Sequence, residues 1–229
     1  MKKIIYIALL FWCGILAAKD TPPREARLFI LSGQSNMARL DPDLSFTPTL
    51  KKAFPNDEIT VIKDAMGGQP IRRWYKKAAP EKGKRGNAIG DLYDRLISNV
   101  KAGSANTHFS TVTFVWMQGE TDANQRHGDR YATELRGVIN QLKHDLGRDD
   151  LYVVVGRISD SGLKYPKLRS EWEKMRNAQV QIAETDSRSA WVDTDDLNGE
   201  KDVLHYTDEG YKTFGERLAQ SAVTLLKKK

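Results

Sequence analysis

Cysteine is almost absent from this 229-residue chain: Cys13 is the single one, and it lies inside an apolar N-terminal stretch. Once that stretch is removed the chain can hold no disulfide, no thiolate nucleophile and no cysteine metal ligand, so packing must stabilise it. Histidine is scarce as well. The four, His108, His127, His144 and His205, form no spaced cluster with carboxylates of the kind that holds zinc, so neither a metal nor a cofactor is expected. Long apolar runs are missing apart from Ile4 to Leu16, which is too short and wrongly flanked for a membrane span. No linker and no internal repeat divides the remainder of the chain.

Lys2 and Lys3, the apolar run and the small pair Ala17-Ala18 together read as a signal peptide over residues 1–18, with a retained anchor helix as the alternative. The expectation is a secreted or periplasmic protein without stable membrane insertion. About 210 residues, 19–229, remain for one α/β domain. The formal charge of +6 falls to about +4 without Lys2 and Lys3. Basic residues are densest at Arg72-Arg73, Lys76-Lys77 and Lys82 to Arg85, around Trp74 and Tyr75. A solvated loop accounts for that patch, with an anionic ligand as the sharper alternative. No nucleic-acid partner is expected, because no helix-turn-helix, RNA-binding or zinc pattern accompanies it.

Five β-rich runs alternate with helical patterns. Residues 27–32, 59–63, 111–117, 151–158 and 190–192 read as strands, and 87–101, 128–145, 168–185 and 207–226 as helices with apolar residues three and four apart. Continuous runs such as Val112-Thr113-Phe114-Val115-Trp116 suit strands covered on both faces. The pattern predicts a parallel sheet of about five strands sandwiched by helices. In such sheets ligands bind beyond the carboxyl ends of the strands, so the residues after each strand carry the chemistry.

Those residues are conspicuous. Ser35 follows Leu28-Phe29-Ile30-Leu31, with Gly33 permitting a sharp turn between them. Asp202 precedes His205 by three residues, a spacing that lets it accept the Nδ1 proton and leave Nε2 free to deprotonate Ser35. Asp193, Asp195 and Asp196 are rival orienting acids. Thr207, Asp208 and Glu209 mark a helix start that fixes the chain just after His205. Donors for an oxyanion are backbone N–H groups of a helix beginning near Asn36, the amides of the Gly67-Gly68 turn, and the neutral side chain of Gln118. Glu120 suits a supporting role to the nucleophile loop better than a glycosidase acid pair with Asp122, which would leave the serine unexplained.

Four blocks occur in order: Gly33-Gln34-Ser35-Asn36-Met37, Gly67-Gly68-Gln69-Pro70-Ile71 with Trp74, Gln118-Gly119-Glu120-Thr121-Asp122-Ala123, and Asp202-x-x-His205. Together they resemble the carbohydrate-esterase branch of the SGNH hydrolases, which includes sialate O-acetylesterase-like and acetylxylan esterase domains. Gln69 departs from the resemblance, standing where Thr or Ser is commoner. The resemblance implies a flavodoxin-like α/β/α sandwich, with Ser35 as nucleophile and first oxyanion amide, His205 as base and Asp202 as its partner. It also implies Gly67 or Gly68, and Gln118, as further oxyanion donors, with Gln34, Asn36, Glu120 and Trp74 supporting the site or meeting substrate.

The expected activity is removal of small acyl groups, acetyl above all, from the hydroxyls of an acetylated oligo- or polysaccharide. Trp74 is offered either as a sugar-stacking platform or as a buried ring. A lipid esterase would use the same triad, but the loops after Gly68 and before Asp202 lack an apolar surface for an acyl chain. A glycan-binding protein without catalysis is the reading of another class. Neither the sugar nor the oligomeric state follows from the sequence.

Overall fold

A computed structural model describes residues 24–79 and 88–228. The signal-like segment and Lys82 to Arg85 lie outside the described residues, as does Asn87, where the sequence pattern starts the first long helix. Five strands, β1 (Ala26–Gly33), β2 (Glu58–Ala65), β3 (Thr111–Met117), β4 (Tyr152–Gly156) and β5 (Ser189–Val192), form one all-parallel sheet in the order β2-β1-β3-β4-β5. This is the flavodoxin-like strand order, so the expected three-layer fold is the observed one.

The central strands explain why the sequence reads as it does. β3 is buried along its whole length and β1 from its second residue onward, so both faces must be apolar. Phe29, Ile30, Leu31, Phe114, Val115 and Trp116 meet the helices on either side with no exposed surface. Helices α1 (Ser35–Arg39) and α2 (Phe46–Ala53) follow β1, and α3 (Asp91–Gly103) follows β2. After β3 come α4 (Glu120–Asn124) and α5 (Gly128–Leu146), then α6 (Arg169–Glu184) after β4 and α7 (Asp208–Lys227) after β5. Right-handed crossovers place α2 and α7 together on one face, and α3, α5 and α6 on the other.

Three elements differ from the sequence expectation. The helix expected from residue 87 begins at Asp91, after Gly90 at φ 72°. The fourth strand ends at Gly156 rather than 158: Arg157 reaches Asp193, just beyond β5, and the Ile158 N–H donates to the Gln179 side chain of α6. Helix α2 has no counterpart in the sequence expectation: only Phe46 and Leu50 are buried, and Pro48 with two threonines masks the period.

Register sets the working rim. Gly33 pairs with Ala65 on one side and Met117 on the other, so β1, β2 and β3 end level. Ser35, Gly67 and Gln118 therefore emerge within two residues of a common edge.

Candidate active site

The nucleophile turn is forced by close backbone approach. A Cβ on Gly33, at φ 144°, would lie 1.9 Å from the Met117 carbonyl oxygen, which also accepts the Gln34 N–H at 2.9 Å. Only glycine fits there. The chain then reverses into α1, whose first residue is the half-buried Ser35. Among the described residues the Ser35 hydroxyl makes no hydrogen bond.

Its two neighbours hold it in place. Gln34 is buried, and its side-chain oxygen accepts the Thr121 N–H at 3.2 Å and the Gln118 amide at 3.2 Å, fastening the turn to the start of α4. Asn36 is buried on the other side. Its Nδ2 donates to Glu120 Oε1 at 2.9 Å and to the Leu204 carbonyl at 3.2 Å, and its Oδ1 accepts from the Tyr211 hydroxyl at 3.0 Å. One asparagine thus ties the residue after Ser35 to the residue before His205, 168 positions away.

The C-terminal island folds as its spacing predicts. Asp202 Oδ2 lies 2.8 Å from His205 Nδ1, while Oδ1 accepts the backbone N–H groups of Leu204 at 3.1 Å and His205 at 3.0 Å. These bonds, the His205 backbone N–H foremost, hold the Asp202 carboxyl below the usual carboxylate range. Thr207 caps α7 by accepting the Gly210 N–H at 2.9 Å, so His205 stands against a fixed helix start. The His205 side chain is 18% exposed and that of Asp202 54%, so the carboxylate stands at the surface, with Arg39 Nη1 3.8 Å away. The rival acids are committed elsewhere: Asp193 and Asp195 to Arg157, Asp195 also to Arg176, and Asp196 to Arg217.

The glycine pair divides its labour. Gly67 lies over the nucleophile, since a Cβ there would sit 3.6 Å from Ser35 Cβ. Gly68, at φ 69° and facing open space, supplies the left-handed turn. Gln118 does not offer a free donor. It is fully buried, and its Nε2 is taken by Asp122 Oδ2 at 2.6 Å, the Gln69 carbonyl at 3.1 Å and Gln34 Oε1 at 3.2 Å. With two protons for three acceptors, the amide is a strut between loops.

Of the two readings open for Trp74, the buried ring is the one observed. It has no exposed surface, donates from Nε1 to Ser32 Oγ at 3.1 Å and meets Trp116 edge-on at 5.3 Å, so it cannot stack on a sugar. Three of the four described cations of the basic patch are also committed, and the fourth, Lys77, is exposed. Arg72 is buried with Gln125 Oε1 at 3.1 Å, Arg73 forks onto Asp91, and Lys76 pairs with Asp94 at 2.7 Å. These three cations are not displayed for an anion.

Glu120 is a buried carboxyl whose Oε2 has no partner among the described residues. Burial pushes its pKa up to about 7. A carboxyl raised in the folded state above its unfolded value near 4.5 stabilises the fold fully below that value, and the contribution is lost as pH rises through about 7. Wild-type stability should therefore decline from about pH 4.5 to 7 by at most on the order of 3 kcal/mol from this group. Glu120→Gln keeps an acceptor for Asn36 and should flatten that limb in thermal melts taken across the range. An unchanged slope would show that Glu120 is not its source.

The described residues contain no group of three or more His, Cys, Asp or Glu able to hold a metal ion, and no helix long and apolar enough to cross a membrane. The parallel sheet, the glycine-gated serine turn and the Asp-His pair ahead of the last helix are the features that the SGNH resemblance implies. Comparison with known proteins narrows the class. The sequence model of the family described as carbohydrate esterase, sialic acid-specific acetylesterase, matches residues 38–224, and the chain belongs to that family of carboxylic ester hydrolases. A probable carbohydrate esterase of Arabidopsis thaliana is 26% identical over 183 residues, 79% of this chain and 62% of the plant protein. The chain thus spans under two thirds of that curated relative.

Solved structures share the fold. The crystal structure of the Arabidopsis protein superposes with a TM-score of 0.68 at 22% identity, covering 87% of this chain and 98% of that one. A carbohydrate acetylesterase from Xanthomonas citri gives 0.69 at 17%, covering 88% of this chain and 56% of that one. An acetyl-xylooligosaccharide esterase from Geobacillus gives 0.55 at 18%, over 86% and 94% of the two chains.

Proposed function

We propose that the chain is a carbohydrate O-acetylesterase working through Ser35, His205 and Asp202. The observation that carries this reading is the double tether around the base: Asp202 on the His205 ring at 2.8 Å, and Asn36 on the Leu204 carbonyl at 3.2 Å. It supports a serine and an imidazole held at one rim. Nucleophile and base in resting hydrolases are often loosely aligned and close up only around substrate, which accommodates the unbonded Ser35 hydroxyl.

In the proposed reaction Ser35 Oγ attacks the acetyl carbonyl while His205 Nε2 takes its proton. The oxyanion is held by the backbone N–H groups of Ser35 and Gly67. Gln118 supports that loop rather than the oxyanion. The bond to the sugar oxygen breaks as Nε2 returns the proton to it, leaving acetyl on Ser35. Water then attacks, its proton passing through His205, and acetate leaves with Ser35 restored.

Export belongs to the same reading, on the pattern Lys2, Lys3, Ile4 to Leu16 and Ala17-Ala18. Protein recovered outside the cytoplasm should lack residues 1–18 by mass. Acetate release from acetylated xylan, pectin and sialic acid, compared with octanoyl ester hydrolysis, tests the activity. Acetyl turnover at least about tenfold above octanoyl is expected, since the sequences after Gly68 and before Asp202 are polar and charged. Equal octanoyl turnover would favour the lipid reading, and no turnover of any ester would leave a binding protein.

A further inference from the structure

The residue that departs from the family resemblance, Gln69, is the centre of a chain of bonds that ends on the glycine above the nucleophile. Its Nε2 donates to the Gly67 carbonyl at 3.0 Å, and its Oε1 accepts from Arg73 Nη1 at 2.7 Å. Arg73 in turn forks onto Asp91, Nε to Oδ1 and Nη2 to Oδ2, each at 2.5 Å. Asp91 is the first residue of α3, so the fork anchors to a thirteen-residue helix rather than to a loop. The Gln69 main-chain carbonyl is held separately, by Gln118 at 3.1 Å. Gln69 is therefore fixed through both its side chain and its backbone.

Gly67 needs such support. It is exposed and has no side chain of its own, and it is followed by Gly68 in a left-handed turn. Two consecutive glycines give this segment more conformational freedom than any other pair of residues would. An oxyanion donor is effective only when it is already aimed, because reorienting it during reaction forfeits the gain. A plain surface ion pair between Arg73 and Asp91 would have no reason to include a glutamine bonded two residues back along its own loop.

We propose that Gln69 and Arg73 are positioning residues that aim the Gly67 amide at the oxyanion formed on Ser35. This rests on the esterase reading and adds to it the means by which the glycine loop is kept in register. Gln69 is long enough to bridge the loop carbonyl and the α3-anchored arginine. Neither residue touches the reacting atoms.

The test uses the full chain with p-nitrophenyl acetate, together with an acetyl trifluoromethyl ketone that forms a tetrahedral adduct on the nucleophile. Gln69→Met keeps length and loses both hydrogen bonds. It should lower kcat about 10- to 100-fold with KM within about twofold, and weaken the ketone by the same factor as kcat. Arg73→Ala should do the same, and Gln69→Met/Arg73→Ala should cost no more than the larger single change, because both act through one chain of bonds. Should Arg73→Ala fold poorly, Gln69→Met alone decides. Loss of melting temperature with kcat and ketone affinity unchanged would overturn the inference and leave a structural role only. Turnover that survives in Ser35→Ala would instead overturn the esterase reading itself, and this inference with it.

Discussion

Replacing Ser35 by alanine should lower kcat for p-nitrophenyl acetate by at least about 10⁴-fold, and replacing His205 by alanine by a similar factor. The double variant should be no worse than either single one. Nucleophile and base act as a unit, so removing the second after the first has nothing left to abolish. The structure makes this a clean experiment. The Ser35 hydroxyl makes no hydrogen bond among the described residues, and His205 keeps its backbone bonds to Asp202 and Asn198 whatever the ring does. Melting temperature should stay within about 2 °C of wild type in the Ser35 variant, as befits a half-buried hydroxyl with no bond to lose. Additive losses, or a Ser35→Ala enzyme retaining a tenth of its activity, would place the chemistry elsewhere.

Asp202→Asn should be the next most damaging change, lowering kcat/KM by about 10²- to 10⁴-fold at neutral pH. Asp202 does two jobs through two oxygens. Oδ1 gathers the backbone N–H groups of Leu204 and His205, and Oδ2 takes the ring Nδ1. Asparagine can keep its oxygen on the backbone pair only by turning its NH2 toward the ring. Nδ1 then becomes an acceptor, the ring proton moves to Nε2, and Ser35 loses its base. The loss should fall toward the lower end of that range. The Asp202 side chain is 54% exposed and Arg39 stands 3.8 Å away, so water and the Arg39 guanidinium already share the carboxylate. A loss under about fivefold would remove Asp202 from the orienting role.

How far the sequence disclosed these arrangements depended on whether local pattern or distant contact set them. β3 matched its expected bounds because both its faces are covered, and such a strand must be apolar at every position. Asp202 was separable from Asp193, Asp195 and Asp196 by spacing alone, since three residues is the reach of one turn back onto the ring. The reason the rivals are unavailable was not legible. Arg157, Arg176 and Arg217 come from three other segments, and nothing local links them to those acids.

The errors have the same origin. Gln118 looks like a free donor at the end of a strand, yet its acceptors, Gln34, Gln69 and Asp122, arrive from the turns after β1, β2 and β3. Trp74 was open between a sugar platform and a buried ring, and no local pattern decided it. It is drawn inward because Ser32 Oγ gives its indole N–H a partner and Trp116 presents an edge. α2 escaped because eight residues with two core contacts and a proline leave little periodic signal, and its packing on α7 was invisible before folding.

The central claim is that residues 35 and 205, remote in the chain, meet as nucleophile and base. Reaction with a fluorophosphonate ester, which phosphonylates an activated serine, tests this most directly by mass mapping of the adduct. The account predicts one adduct per chain, on the peptide bearing Ser35, formed in the wild type and suppressed in His205→Ala. Labelling at another serine, or labelling of Ser35 that proceeds equally fast without His205, would contradict it.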